Sequence, residues 1–345
     1  MKLPLIALTM GDVSGIGPQL LDALCSEADL FQICRPVVYG NAEILSRASE
    51  CSGSTLRVLS IDSITDATSF QPGTAFCLDR GKADVLNAVP CQVDARSGQG
   101  AHDYLVSAIE DCLSGQVDAM TTAPLNKESL RLAGIEFPGH TEILAERCQV
   151  DDFGMMLYLP QSDVIKPAAG LGIVHATLHT SIARVPGLLN TQAIYEKTRL
   201  ISELMHIMGV SNPRVAVCAL NPHAGEHGLF GDEEARIIAP AVMQAKQSGI
   251  NAAGPLPADT LIRRAVNGEF DAVVAMYHDQ GHIPFKLLGF DQAVNITLGL
   301  PIVRTSPSHG TAFDIAWTDT APDTRGIREA IKAAVKLAAQ KKKSP

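Results

Sequence analysis

The sequence predicts an α/β protein of two lobes built on mainly parallel sheets. Three observations carry that prediction. Short apolar runs recur without the polar alternation of a half-exposed sheet, as strands buried on both faces require. Between them lie segments with apolar residues at helical spacing, so strands and helices alternate. The 345 residues also exceed what one ordinary core holds.

Residues 3–8 (LPLIAL) read as a buried first strand, followed by the turn Thr9-Met10-Gly11-Asp12-Val13-Ser14-Gly15-Ile16-Gly17-Pro18 and a helix over 19–24. A strand, Gly-rich turn and helix in this order aims backbone N–H groups at an anion. The glycine spacing matches neither the dinucleotide fingerprint nor a P-loop, so a tight structural turn is an equal reading. Strands follow at 36–39, 57–61 and 75–78, a helix at 101–113, and a strand at 117–122 leading into Ala123-Pro124-Leu125-Asn126-Lys127. From Gly134 the pattern changes, and Phe137-Pro138-Gly139-His140-Thr141-Glu142 opens a helix with a polar start. Strands at 155–159 and 171–175 come next. His175 and His179 stand four apart, but the first sits on a strand, so at most one of them is expected to be a ligand.

A long amphipathic helix is predicted over 191–208, with His206 a structural residue within it. The strand at 214–220 then delivers Asn221-Pro222-His223, and a helix over 231–247 follows. Asp259 lies in the Pro-rich turn 254–260, either capping a helix or presenting a carboxylate. The richest stretch is 277–304. It follows the buried strand 271–276 and brings His278, Asp279, His282, Lys286, Asn295 and Arg304, groups suited to a metal, a carboxylate and a phosphate. Ligands of open α/β sheets sit at the carboxyl ends of such strands. His223 and His278 occupy that position.

A composition of 46% hydrophobic and 19% charged residues excludes disordered and fibrous classes. A formal charge of −9 argues against a nucleic-acid surface, and Lys341, Lys342 and Lys343 read as a solvated helix end. Eight scattered cysteines without a close pair suggest reduced thiols. With no signal peptide and no apolar span for a bilayer, a cytoplasmic protein without membrane or nucleic-acid partners is expected.

Eight ordered blocks, TMGDVSGIGP, TTAPLNKESL, FPGHTEILAE, NPHAGE, GPLPADT, YHDQGHIPFK, VNITLGLPIVRTS and HGTAFDIA, resemble the 4-hydroxythreonine-4-phosphate dehydrogenases of pyridoxal phosphate biosynthesis (the PdxA family) over almost the whole chain. The resemblance implies a fold similar to isocitrate and isopropylmalate dehydrogenases, with a cofactor-side lobe of residues 1–130 and 283–345, a metal and dimer lobe of 131–282, and a cleft between them. It implies one divalent ion (Zn, Mg, Mn or Co) on His179, His223 and His278, the last from the second subunit of a homodimer. Substrate contacts fall on His140, Thr141, Lys286, Asn295 and Arg304. Residues 309–316, with His309, Gly310, Thr311, Ala312 and Asp314, resemble the loop that receives the adenosine of NAD, NADP being the alternative. Lys286 with Asp259 is the expected proton shuttle.

The implied reaction is oxidation and decarboxylation of 4-phosphooxy-L-threonine to 3-amino-2-oxopropyl phosphate. Open metal positions would polarise the hydroxyl and hold the enolate left by decarboxylation. The HDQGHIPFK and HATLHTSI segments also resemble branches acting on D-threonate or D-erythronate 4-phosphate, or on aromatic dihydrodiol carboxylates. Val13-Ser14, Gln19 and Trp317-Thr318-Asp319-Thr320 depart from the family pattern, which carries Pro-Ala, Glu and Gly-Lys/Arg-Gly there. A non-redox binding protein and a three-histidine hydrolase are the rival classes. The first requires loss of metal and cofactor affinity, and the second leaves the 309–316 loop unused.

Overall fold

The computed structural model describes residues 2–341. Lys342 and Lys343 of the C-terminal basic cluster lie outside them. The described strands are β1 (Leu5–Thr9), β2 (Arg35–Gly40), β3 (Arg57–Ile61), β4 (Thr74–Asp79), β5 (Ala119–Thr122), β6 (Gly154–Leu159), β7 (Leu171–His175), β8 (Val215–Cys218), β9 (Ala252–Leu256), β10 (Ala272–Ala275), β11 (Val294–Leu298) and β12 (Arg304–Pro307). Two compact units emerge, Met1–Asp151 with Leu300–Pro345, and Asp152–Gly299.

In the first unit the strand order is β3-β4-β2-β1-β5-β12, with every neighbouring pair parallel. β1 shows why its sequence lacks alternation: all five of its residues are buried. The helices Gly17–Ser26, Ala95–Leu113 and Arg325–Lys341 supply much of the covering, through Leu20, Leu21, Leu24, Tyr104, Leu105, Ile327 and Ile331. In the second unit the order is β11-β6-β7-β10-β8-β9. Here β11 and β7 each run antiparallel to β6, whereas β7, β10, β8 and β9 are parallel. The sheets are thus mainly parallel, as the sequence predicts.

The units end later than the expected boundaries at 130 and 282. Packing explains both shifts. Ile143 and Leu144, from the helix His140–Cys148, join the first unit's core, and Phe285 of the helix His278–Gly289 joins the second unit's core with Leu157 and Leu159. β11 is further tied to β6 by a full antiparallel register. A break in sequence style at Gly134 therefore marks a new helix, not a new unit.

The eight cysteines are free, and among the described residues no helix is long and apolar enough to cross a membrane.

Candidate active site

In the second unit, the carboxyl ends of β7, β10 and β8 lie side by side, with Ala275 opposite His175 and Val274 opposite Val217. Gln280 ties two of these ends together. Its Nε2 donates to the Ala219 carbonyl at 2.7 Å, and its Oε1 accepts from the Met276 N–H at 2.7 Å. Four histidines gather above. His175, the last residue of β7, is buried, and its Nε2 is 3.2 Å from His282 Nδ1. His282 stacks on His278 with ring centres 3.7 Å apart, and His278 Nδ1 contacts Asp279 Oδ1 at 2.7 Å. Burial, then the neighbouring imidazoles, pushes His175 down to about 3, and burial and His278 push His282 down to about 4. Both are neutral at pH 7.

His179 is exposed, with its ring centre 5.9 Å from that of His278. The two share a hollow of about 470 Å³ with Thr180, Tyr277 and Asp279. His223 lies elsewhere, in a hollow of about 580 Å³ lined also by Asn221, Asp259, Tyr277, Gln280 and Pro284. Tyr277 borders both. Among the described residues, no group of three His, Cys, Asp or Glu side chains is placed to hold a metal ion. One chain therefore joins His179 to His278 but does not complete the expected three-imidazole set. Asp259 is exposed in the first turn of the helix Ala258–Val266, while Lys286 does not line its hollow. The Lys286 ammonium lies 5.8 Å from the Phe290 ring centre. The expected shuttle pair is thus not brought to one hollow. Asn295 lies on β11, half-buried.

The backbone that carries His223 is unusual. His223, Ala224, Gly225, Glu226 and His227 all have positive φ, between 43° and 78°, so a left-handed turn is built from mostly non-glycine residues. Such conformations cost on the order of 1 kcal/mol or more per residue and need surrounding structure to impose them. Glu234, buried at the start of a π-helical turn, does so: it accepts the N–H groups of Leu220 and Asn221 at 2.8 Å each.

The first unit holds the anion-binding candidates. His140 and Thr141 open the helix His140–Cys148, whose N-cap Gly139 offers no side chain to the first N–H groups. Burial and the nearby Arg304 charge hold His140 well below the usual imidazole range. Arg304, 4% exposed on β12, donates from Nη2 to Thr122 Oγ1 at 2.7 Å. Burial pushes its pKa down to about 9, which leaves it cationic at neutral pH.

The glycines of the turn after β1 face the chain itself. A Cβ on Gly11 would lie 2.2 Å from the Pro124 carbonyl oxygen, one on Gly17 2.1 Å from that of Met10, and one on Gly15 2.8 Å from Thr311. The turn is a packing device, which favours the structural reading over the phosphate cradle. Through it the 309–316 loop is held, since the Ile16 N–H donates to the Thr311 carbonyl at 2.9 Å. His309 Nδ1 lies 3.0 Å from the Gly310 carbonyl, while Ala312 takes a positive φ of 48° and Asp314 is exposed.

Sequence reasoning missed Gln280, Glu234 and Thr122, and it named His175 and His282 only as candidate ligands, not as a pair. Each acts through tertiary contacts that a linear pattern does not encode.

The family profile described as "Pyridoxal phosphate biosynthetic protein PdxA" matches residues 32–334. A 4-hydroxythreonine-4-phosphate dehydrogenase of Geobacter metallireducens is 44% identical, over 98% of this chain and 95% of that one. A D-threonate 4-phosphate dehydrogenase of Salmonella typhimurium is 41% identical, over 98% of this chain and 100% of that one. The crystal structure of 4-hydroxythreonine-4-phosphate dehydrogenase from Klebsiella pneumoniae superposes with a TM-score of 0.86 at 41% identity, covering 97% of this chain and 98% of that one. Similarity of this extent, over nearly the whole chain, makes the chain a member of the PdxA family and an oxidoreductase.

Proposed function

We propose that the chain is an NAD-dependent dehydrogenase that oxidises the CH–OH group of a four-carbon phosphorylated hydroxy acid and then decarboxylates it. The leading substrate is 4-phosphooxy-L-threonine, giving 3-amino-2-oxopropyl phosphate. The observation that carries this reading is the 44% identity to a 4-hydroxythreonine-4-phosphate dehydrogenase over nearly both full lengths. A second reading, D-threonate 4-phosphate as substrate, is supported by the 41% identity to the Salmonella enzyme. The two acids differ at C2, amine against hydroxyl.

Arg304, His140, Thr141 and the open helix start behind them are suited to a dianionic phosphate, because a buried cation and unpaired N–H donors reinforce each other. Lys286 and Asn295 are proposed as further substrate contacts. Asp259, bordering the hollow with His223, is the better placed of the two proposed acid–base groups. A nicotinamide cofactor supplies the hydride acceptor when bound. The 309–316 loop suits its adenosine end, with the exposed Asp314 disfavouring the extra phosphate of NADP. For the divalent ion the proposed site is His179, His223 and His278, the last from the second copy in a cytoplasmic homodimer, a reading compatible with the lack of a three-ligand group among the described residues of one chain.

The test is NADH formation at 340 nm with both acids in parallel, with and without added divalent metal, beside a His223→Ala control. Turnover of the amino acid alone supports the first reading and turnover of D-threonate 4-phosphate alone the second. Inactivity with both overturns the substrate class.

A further inference from the structure

Two segments about 300 residues apart in the chain meet in the first unit. Gln19, fully buried near the start of the helix Gly17–Ser26, grips the backbone that follows the 309–316 loop from two sides. Its Oε1 accepts the Trp317 N–H at 2.5 Å, and its Nε2 donates to the Thr318 carbonyl at 2.7 Å. The indole Nε1 of Trp317 donates in turn to the Val13 carbonyl at 3.0 Å. An amide serves both backbone groups at once, whereas an ionised carboxylate has no proton for the Thr318 carbonyl.

The grip matters because of what it holds. Trp317 has φ 56° and Ala312 has φ 48°, left-handed conformations that non-glycine residues keep only when other contacts impose them. The loop is anchored at Thr311 by the Ile16 N–H and at Trp317 and Thr318 by Gln19, and weaker thiol donors reach the same backbone, Cys91 Sγ at the Ala316 carbonyl and Cys51 Sγ at that of Thr318. Between these anchors lie Ala312 and Asp314, with His309 and Gly310 just ahead of the first.

We propose that Gln19 is a positioning residue of the cofactor loop, whose two-sided grip on Trp317 and Thr318 holds residues 309–318 in the shape that receives a nicotinamide dinucleotide. This rests on the reading of that loop as the cofactor site. With one anchor removed, the loop spends part of its time in other shapes, and the apparent Kd rises by the inverse of the competent fraction.

Trp317 is the single tryptophan of the chain, so its emission reports on the loop alone. Acrylamide quenching of the free protein and calorimetric NADH binding are measured for wild type, Q19A and Q19E at about pH 8 and about pH 5.5, with melting curves to confirm folding. At the higher pH we expect greater quenching of both variants and a Kd for NADH raised about tenfold, for a competent fraction near one-tenth. At the lower pH a protonated carboxyl in Q19E regains the donor. Its quenching and affinity then return towards wild type, whereas Q19A stays weak. A purely structural role predicts no such recovery. Should Q19A fail to fold, Q19E at the two pH values decides. Greater quenching with unchanged NADH affinity overturns the proposal, as does quenching equal to wild type. Wild type that binds no NADH overturns the cofactor-site reading itself, and the quenching measurement, made without cofactor, still reads the grip.

Discussion

The buried carboxylate of Glu234 holds Asn221 from two sides, Oε1 accepting its backbone N–H at 2.8 Å and Oε2 its side-chain amide at 3.0 Å. Burial opposes the charge, but the bonds from Asn221 and Leu220 outweigh it and keep Glu234 below the usual carboxylate range. Two residues further on, the chain enters the left-handed turn that carries His223. Glu234→Ala leaves the half-buried Leu220 and Asn221 N–H groups without their acceptor, at a cost of about 1–3 kcal/mol. It also frees the strained turn to relax. We expect a lower Tm and a kcat/KM reduced roughly 100-fold, as misplacement by about an ångström can do. Glu234→Gln, which keeps one acceptor, should fall between. Activity unchanged in a folded Glu234→Ala protein would show that the turn holds its shape unaided.

Arg304 is the buried cation of the first unit, and its charge bears on His140. Arg304→Ala removes a charge-assisted partner worth about 1.5–3 kcal/mol, so KM for the phosphorylated substrate should rise roughly 10- to 100-fold. Arg304→Lys keeps the charge and loses the fork, and should recover only part of the loss. Without the adjoining charge, the His140 imidazole becomes easier to protonate. An NMR titration of His140 in Arg304→Ala should show its pKa rising towards the usual range. A His140 pKa equal to that of wild type would remove Arg304 as a cause.

Much of this arrangement is legible in the sequence. Apolar runs without alternation locate β1, β2, β7, β8 and β10, because parallel strands are buried on both faces and their polar residues wait at the ends. Strand ends also predict where His223 and His278 stand. The left-handed turn is not legible: NPHAGEHG contains only two glycines, and its φ values come from Glu234, which arrives later in the chain. Nor is the pairing of His175 with His282, residues 107 apart. Asn295 stands in the site-rich stretch 277–304, and its place on a strand paired antiparallel with β6 is one that no local pattern reveals.

Gly281 is the small residue that lets the helix His278–Gly289 approach His175. A Cβ there would lie 2.3 Å from His175 Nε2 and 3.0 Å from Ile173 Cγ2, both buried. Gly281→Ala must displace the His175 ring and break its contact with His282. Overpacking of this kind costs about 1–3 kcal/mol, so Tm should fall and turnover with it. Removing the obstructing ring offers the check. A Gly281→Ala, His175→Ala double variant should lose less stability than the two single losses added together. Simple additivity would place the strain elsewhere in the helix.

Asp12 gives the fold a pH dependence opposite to that of most carboxylates. It is fully buried after β1, Oδ1 accepts the Ser14 N–H at 2.9 Å, and Ser14 Oγ lies 2.5 Å from Ser97 Oγ. Burial is the largest influence and raises its pKa from 3.8 to about 6, against hydrogen bonds that lower it. Between those values the folded protein keeps a proton that the unfolded chain has released. Stability therefore falls as pH rises through that window and levels off above about 6. The gap of about two pH units corresponds to roughly 3 kcal/mol. Asp12→Asn keeps the acceptor for Ser14 and removes the ionisation. Its Tm relative to wild type should climb by several degrees between about pH 4.5 and pH 7 and stay constant beyond. Parallel melting curves across that range would mean that Asp12 ionises in the folded protein as readily as in the unfolded chain.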